Sequence, residues 1–452
     1  MVQLQTVAHW LNGLPDFSTT TSLPSPSQTN KRKAGPQAHQ LQSMSPPQSE
    51  PDMDTTPTRK RPRMTGQDMD PDLTPRPQDG NTQGSAHSQS SRSTSTRSSR
   101  SLSPKKQLMS LRLKDRGLEV RQFRAGSVPE QMSELLHKMR EVLHGHDILP
   151  YDRRNEILNN SYVLDGDVRE WRYSFQPEGE QDTLPGRIPT IEEAGLILQL
   201  AEECHDLSYD EAGWNVEVHH RILQSVFRGR GSPKGDMFNF LIATTAHPSP
   251  TYLPQHIPAK MIDFCIYADL DQDERLREAQ RELARHTSTF TINHTDFAPL
   301  QLRPIVLSIE TKKPSKDLDS ANLQIGSWHA AQWSFLASAV RLSLQASQDV
   351  GASQSPLEEM ELVKRAEAQV NCLPFLPGVV VQGHKWSLVL STREGQKTIL
   401  WTEREFGTTQ NIQDIFKIVA ALRELAAWCK NVYLPWWQDN VLGGFIVGDP
   451  SG

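Results

Sequence analysis

Apolar positions acquire a regular period only after residue 126. Behind the capping-box pattern Ser127-Val-Pro-Glu130, the residues Leu135, Leu136, Met139, Val142 and Leu143 fall on one side of a helix. Behind Thr190-Ile-Glu-Glu193, Leu196, Ile197 and Leu200 do the same. A third helix is expected to start at Ser208-Tyr-Asp-Glu211 and to run to Phe227. At about 100° per residue, Trp214, Val218, Ile222 and Val226 form its inner stripe and Glu211 falls among them, whereas His219 lies about 100° away. An acid on that stripe has two readings: it serves a buried site, or, as third residue of a capping box, it reaches back to the Ser208 amide.

Strand-like runs follow at Met237 to Ala243, Lys260 to Ala268 and Leu302 to Lys312, with a charged amphipathic insertion, Asp273 to His286, between the second and third. A helix is expected over Ala321 to Leu344, strands at Leu376 to Val381, Trp386 to Leu390 and Thr398 to Trp401, and a last helix over Ile412 to Cys429. The order of helix, three strands, helix, strands and helix specifies an α/β fold with one sheet flanked by helices.

Composition changes this picture at the N-terminal side. The 452 residues are 36% hydrophobic and include 31 Pro, with 7% aromatics and a mean hydropathy of -0.57, too polar for one packed globule throughout. Residues 16 to 126 are mostly Ser, Thr, Pro, Gln and Gly, so 1–126 reads as a disordered tail and 127–445 as the folded domain. Up to residue 126 there are 18 Lys and Arg against 10 Asp and Glu, and afterwards 30 against 44, so a tail of +8 precedes a body of -14 within the chain's -6.

In the tail, Arg59, Lys60, Arg61 and Arg63 read as a nuclear-localisation peptide for an import receptor, with a merely solvated basic patch as the plain alternative. Lys31-Arg32-Lys33 is a smaller basic cluster, and Ser103-Pro104-Lys105-Lys106 has the form preferred by proline-directed kinases. Leu4, Val7, Leu11 and Leu14 with Trp10 outline a short amphipathic peptide. No apolar run approaches the roughly 18 residues of a membrane span, and the start lacks a signal-peptide pattern. Cys204, Cys265, Cys372 and Cys429 stand too far apart for a CxxC site and read as reduced thiols, so a nuclear or otherwise cytosolic protein is expected.

The candidate chemistry lies at the strand ends. In the third strand Ser308, Glu310 and Lys312 share one face, and two charges follow the apolar run Ile305-Val306-Leu307. Asp263 interrupts the second apolar strand in the same way. If the two strands are neighbours, Asp263 and Glu310 converge, and a divalent cation would relieve their repulsion beside Lys312. A plain salt bridge at a sheet edge is the alternative for any one of these charges, but not readily for the spacing Asp-x(46)-Glu-x-Lys on two strands.

KMIDF at 260–264 and SIETK at 308–312, in this element order, resemble the PD-(D/E)XK nuclease superfamily, whose restriction-endonuclease-like core is α-β-β-β-α-β with a mixed sheet flanked by helices. Glu211-x-x-Trp214-Asn215-x-x-Val218-His219, Ala243-Thr-Thr-Ala246, Asn293-His294-Thr295, Gln324 with Trp328, and Gly383-His384-x-Trp386 are similar to the nuclease-like domain of many proteins of filamentous fungi. So is the start Trp10-Leu-x-x-Leu-Pro15. The resemblance spans roughly 127–440. It implies a nuclease acting on DNA or RNA with Mg²⁺ or Mn²⁺, Asp263, Glu310 and the Thr311 carbonyl as metal ligands, Lys312 as catalytic lysine and Glu211 as the helix acid. Asn215, His219 and Gln324 would be accessory. Two positions depart from the superfamily: Ile262 stands where its motif has proline, and Trp328 where Gln-x-x-x-Tyr has tyrosine. The competing reading is a nuclease fold that binds nucleic acid or protein without turnover.

Overall fold

The computed structural model describes residues 102–446 apart from 125, 164–166, 317 and 348–355. The basic clusters at 31–33 and 59–63 and the amphipathic start lie outside the described residues. The strands are β1 (Leu118–Gln122), β2 (Phe238–Ile242), β3 (Phe264–Ala268), β4 (Ile305–Lys312), β5 (Leu376–Gln382), β6 (Lys385–Glu394) and β7 (Lys397–Thr408). They form one mixed sheet in the order β1-β7-β6-β5-β4-β3-β2. The β1–β7 and β4–β5 pairs are parallel and the rest antiparallel. The main helices are α1 (Pro104–Arg112), α2 (Ser133–Leu143), α3 (Ile191–Asp206), α5 (Glu274–His286), α6 (Leu318–Ala346), α7 (Pro356–Val370) and α8 (Ile412–Trp428). Helix α4 is composite: α-helical at Glu211–Trp214 and His220–Phe227, with a π turn at Asn215–His219 between them.

All eight residues of β4 are buried, because a central strand in a parallel pair is covered on both faces. Alternation along β5 separates the two layers. Val380 joins Leu118, Val389 and Leu400 against Ile325 and Ala330 of α6. Val379 and Val381 join the larger core with Ile309, Leu388 and residues of α3, α4 and α8. The close seating of α6 needs Gly326, where a Cβ would stand 2.6 Å from Leu118 Cδ2.

The expected mixed α/β sheet is therefore present, with several local corrections. Residues 102–122, assigned by composition to the tail, include α1 and β1, so ordered structure begins well before residue 126. Leu108, Leu111 and Leu118 supply apolar surface that the polar average concealed. The Ser127 box does not form: the chain is extended at Pro129, Ser127 Oγ donates to the Arg124 carbonyl, and α2 begins only after a 3-10 turn at Glu130–Met132. The Thr190–Glu193 box forms in both directions, although Leu196 is exposed. At the third helix Ser208 is left-handed (φ 54°), and the cap is Asp210, whose carboxylate accepts from the Gly213 amide. Glu211 is thus the first helical residue and not the third, and the link to the Ser208 amide is set aside.

Candidate active site

The register Phe264↔Ile309 between β3 and β4 places Asp263 beside Glu310. Asp263 lies one residue before β3, yet its amide donates to the Ile309 carbonyl and its own carbonyl accepts from Ala243, so the ladder continues through it. Its carboxylate is held by three donors. Oδ2 accepts from the Thr311 amide (2.8 Å) and the Thr311 hydroxyl (2.9 Å), and Oδ1 accepts from Asn215 Nδ2 (3.2 Å).

Glu310 is fully buried, and its partner is the neighbouring Lys312. The Lys312 ammonium stands 2.6 Å from Glu310 Oε1, a close buried ion pair. Lys312 Nζ also donates to the Thr311 carbonyl (2.8 Å) and to Glu211 at 3.2 and 3.4 Å. Burial, then the charge of Asp263, pushes the Glu310 carboxyl well above the usual range, with Lys312 opposing. Burial likewise raises Asp263 against the pull of Lys312 and its donors. Burial works against the Lys312 cation, but Glu310 and Glu211 outweigh it and hold the amine above its usual value.

The structure thus brings Glu211, Asp263, Glu310, Thr311 and Lys312 together at the end of β4. Asn215 and His219 extend the cluster inward. His219 Nδ1 lies 2.9 Å from Asn215 Oδ1, and Nε2 lies 3.2 Å from the Gly383 carbonyl in the β5–β6 turn. His219 is buried, contrary to its expected bearing, because the π turn adds a residue to that loop of helix and brings Val218 and His219 inward together. Burial pushes its imidazole down to about 4. Gln324 stands one step away, donating to the Met261 carbonyl at 3.5 Å.

Other motif residues serve packing. Asn293 donates to the Leu300 and Arg303 carbonyls and accepts from the Ile305 amide, fixing the approach to β4. His294 packs edge-on against Trp328, and His384 touches Trp214 and bonds Thr409. Arg228 and Arg230, basic residues of the kind a nucleic-acid groove needs, are engaged elsewhere: Arg228 lies over Phe240, and Arg230 pairs with Glu193. The Met261 and Gly383 carbonyls take part through the backbone, a role that the side chain at neither position signals.

Among the described residues no three His, Cys, Asp or Glu side chains are gathered as a metal-binding group. The donor set nevertheless fits a hard divalent cation, which takes few protein carboxylates and completes its shell with carbonyl and water oxygens. Two neighbouring acids and a backbone carbonyl are the hard oxygens such an ion uses.

A mixed sheet flanked by helices, with an acid and a Glu-x-Lys at neighbouring strand ends, is the arrangement of the restriction-endonuclease-like class. The family model of the PD-(D/E)XK nuclease superfamily matches residues 160–434, and the chain belongs to that superfamily. No curated protein and no solved structure matches it. No helix among the described residues is long and apolar enough to cross a membrane.

Proposed function

We propose that the chain is a divalent-metal-dependent nuclease hydrolysing phosphodiester bonds in DNA or RNA. The observation that carries this reading is Glu310, a fully buried carboxylate beside a second acid, with the Lys312 ammonium 2.6 Å from its Oε1. Asp263 and Glu310, with the Thr311 carbonyl, would hold Mg²⁺ or Mn²⁺. The ion, when bound, supplies Lewis acidity and takes up charge at the phosphate. Lys312 presents its ammonium to the attacking water or to a phosphate oxygen, and Glu211, the more exposed acid, holds that ammonium in place. Asn215, backed by His219, keeps the Asp263 carboxylate in one orientation. Gln324, which donates to the Met261 carbonyl two residues before Asp263, would contact substrate or orient the site.

We further infer kinship with the nuclease-like domain of filamentous fungal proteins, from the Glu211–His219 and Gly383–Trp386 motifs, and nuclear import through Arg59, Lys60, Arg61 and Arg63. The test is incubation of the full chain with single- and double-stranded DNA and RNA in Mg²⁺, Mn²⁺ or EDTA, beside Asp263→Asn and Lys312→Ala. Metal-dependent cleavage that both variants lose is the expected result. Folded wild type that binds nucleic acid or protein yet cuts no substrate would leave the silent binding module instead.

A further inference from the structure

Arginines beside the large cavities of the body are mostly neutralised. Arg187 and Arg230 pair with Glu193 at the start of α3, and Arg112 and Arg121 pair with Glu119 beside β1. One cavity differs. About 340 Å³ in volume, it lies between the end of β1, the first turns of α2 and β7, and is lined by Arg124, Arg140, Arg404, His137 and Ser133 over Leu136, with no carboxylate. Among the described residues none of its three guanidiniums forms an ion pair. Arg124 donates only to Gln122 Oε1 at 3.3 Å, and the buried Arg404 Nε has no hydrogen-bond partner. Arg404 lies over the Phe123 ring, but three guanidiniums without a carboxylate around one space repel each other and burying a donor without a partner is costly, so the arrangement suits an anion.

We propose that this cavity binds a backbone phosphate of nucleic acid at a distance from the bond being cut. The inference rests on the nuclease reading. Guanidinium forks match phosphate oxygens in pairs, and the Ser133 hydroxyl stands beside them. Arg124 and Arg140 are exposed, which leaves the cavity open to a polymer passing over it. The sheet gives the separation. Arg404 pairs with Leu388 beyond a bulge in β7, which places it in the row Ile309, Val379 and Leu388, three strands across and three residues back from Lys312 and on the other face of the sheet. With strands about 4.8 Å apart and about 3.3 Å per residue, the cavity stands roughly 20 Å from Lys312. At 3.4 Å per base pair that is about six base pairs of duplex.

The experiment measures binding of the full chain in EDTA to duplexes shorter and longer than this span, over a series of salt concentrations. It compares wild type with Arg124→Gln, with the triple Arg124→Gln, Arg140→Gln, Arg404→Gln, and with Arg404→Lys, which keeps the charge if Arg404 also supports the fold. Loss of one phosphate contact lowers the log K against log salt slope by about 1. The triple variant should show that drop and weaker binding on long duplexes only, with Arg404→Lys close to wild type. An unchanged slope and affinity in the triple variant overturns the cavity alone. Inorganic phosphate that binds wild type and not the triple variant, without competing against duplex, assigns the cavity to free phosphate and overturns the polymer. A wild type that binds no nucleic acid removes the nuclease reading and this inference with it.

Discussion

Acid should destabilise this fold through its buried histidines, and His294 isolates the effect. The side chain is 1% exposed, with its ring 4.3 Å from the Trp328 ring and neither nitrogen hydrogen-bonded. Burial, then the nearby His329, pushes its imidazole down to about 3. The sign follows from which state takes the proton. Above about pH 6.5 both folded and unfolded chains carry a neutral imidazole, and the group contributes nothing to the pH dependence. Below that value the unfolded chain binds a proton that the fold refuses until about pH 3, so stability falls with pH by about 1.4 kcal/mol per unit. At pH 5 the loss is about 2 kcal/mol. His294→Phe keeps a flat ring against Trp328 and removes the titration; any overpacking shifts its stability by an amount independent of pH. The assay is urea unfolding of both proteins from pH 7.5 to 5. Glu310 and Asp263, whose raised values act with opposite sign, largely cancel in the difference. The advantage of wild type over variant should shrink by about 2 kcal/mol between pH 7 and 5. A difference constant to about 0.5 kcal/mol over that range would refute the reasoning, because a histidine that titrates normally in the fold imposes no such slope.

Two further outcomes are expected. Asn215→Ala removes the donor to Asp263 Oδ1 without touching either acid, and should weaken Mn²⁺ binding, followed by electron paramagnetic resonance, by about ten- to a hundredfold; unchanged affinity would deny Asn215 an orienting role. Thr190→Ala deletes one half of the box at the start of α3 and should cost about 1 kcal/mol in urea unfolding, whereas no loss would mean that Glu193, still paired with Arg187, closes that end by itself.

The sheet and the convergence of charges at its strand ends were legible because each rests on local rules. A fully apolar strand such as Ile305-Val306-Leu307 belongs in the middle of a sheet, and a charge breaking it needs partners. What escaped depends on distant partners. Strand β1 has only Leu118 and Val120 as apolar residues and exists because β7, some 280 residues later, pairs with it in parallel. The polar ends of β6 and β7 were cut short for the same reason: at Thr392 to Glu394 and Lys397 the ladder continues through residues with no apolar signal. Capping failed where two caps competed. Ser208 and Asp210 both precede Glu211, and the choice of Asp210 decides that Glu211 starts the helix, from which position its carboxylate reaches Lys312.

Helix α4 shows why periodicity alone misplaced His219. At about 100° per residue His219 falls at the margin of the stripe that Val218 centres, and periodicity favours the apolar neighbour. The π turn at 215–219 changes that bearing, and Val218 and His219 are both buried within it. Its less favourable backbone geometry is offset by bonds a regular helix would forgo: Asn215 to Asp263, His219 to Asn215, and His219 to the Gly383 carbonyl. Those three contacts tie the helix, the β5–β6 turn and the acid before β3 into one chain. The irregular turn thus supplies one of the three donors that orient the Asp263 carboxylate, the other two coming from Thr311 in β4.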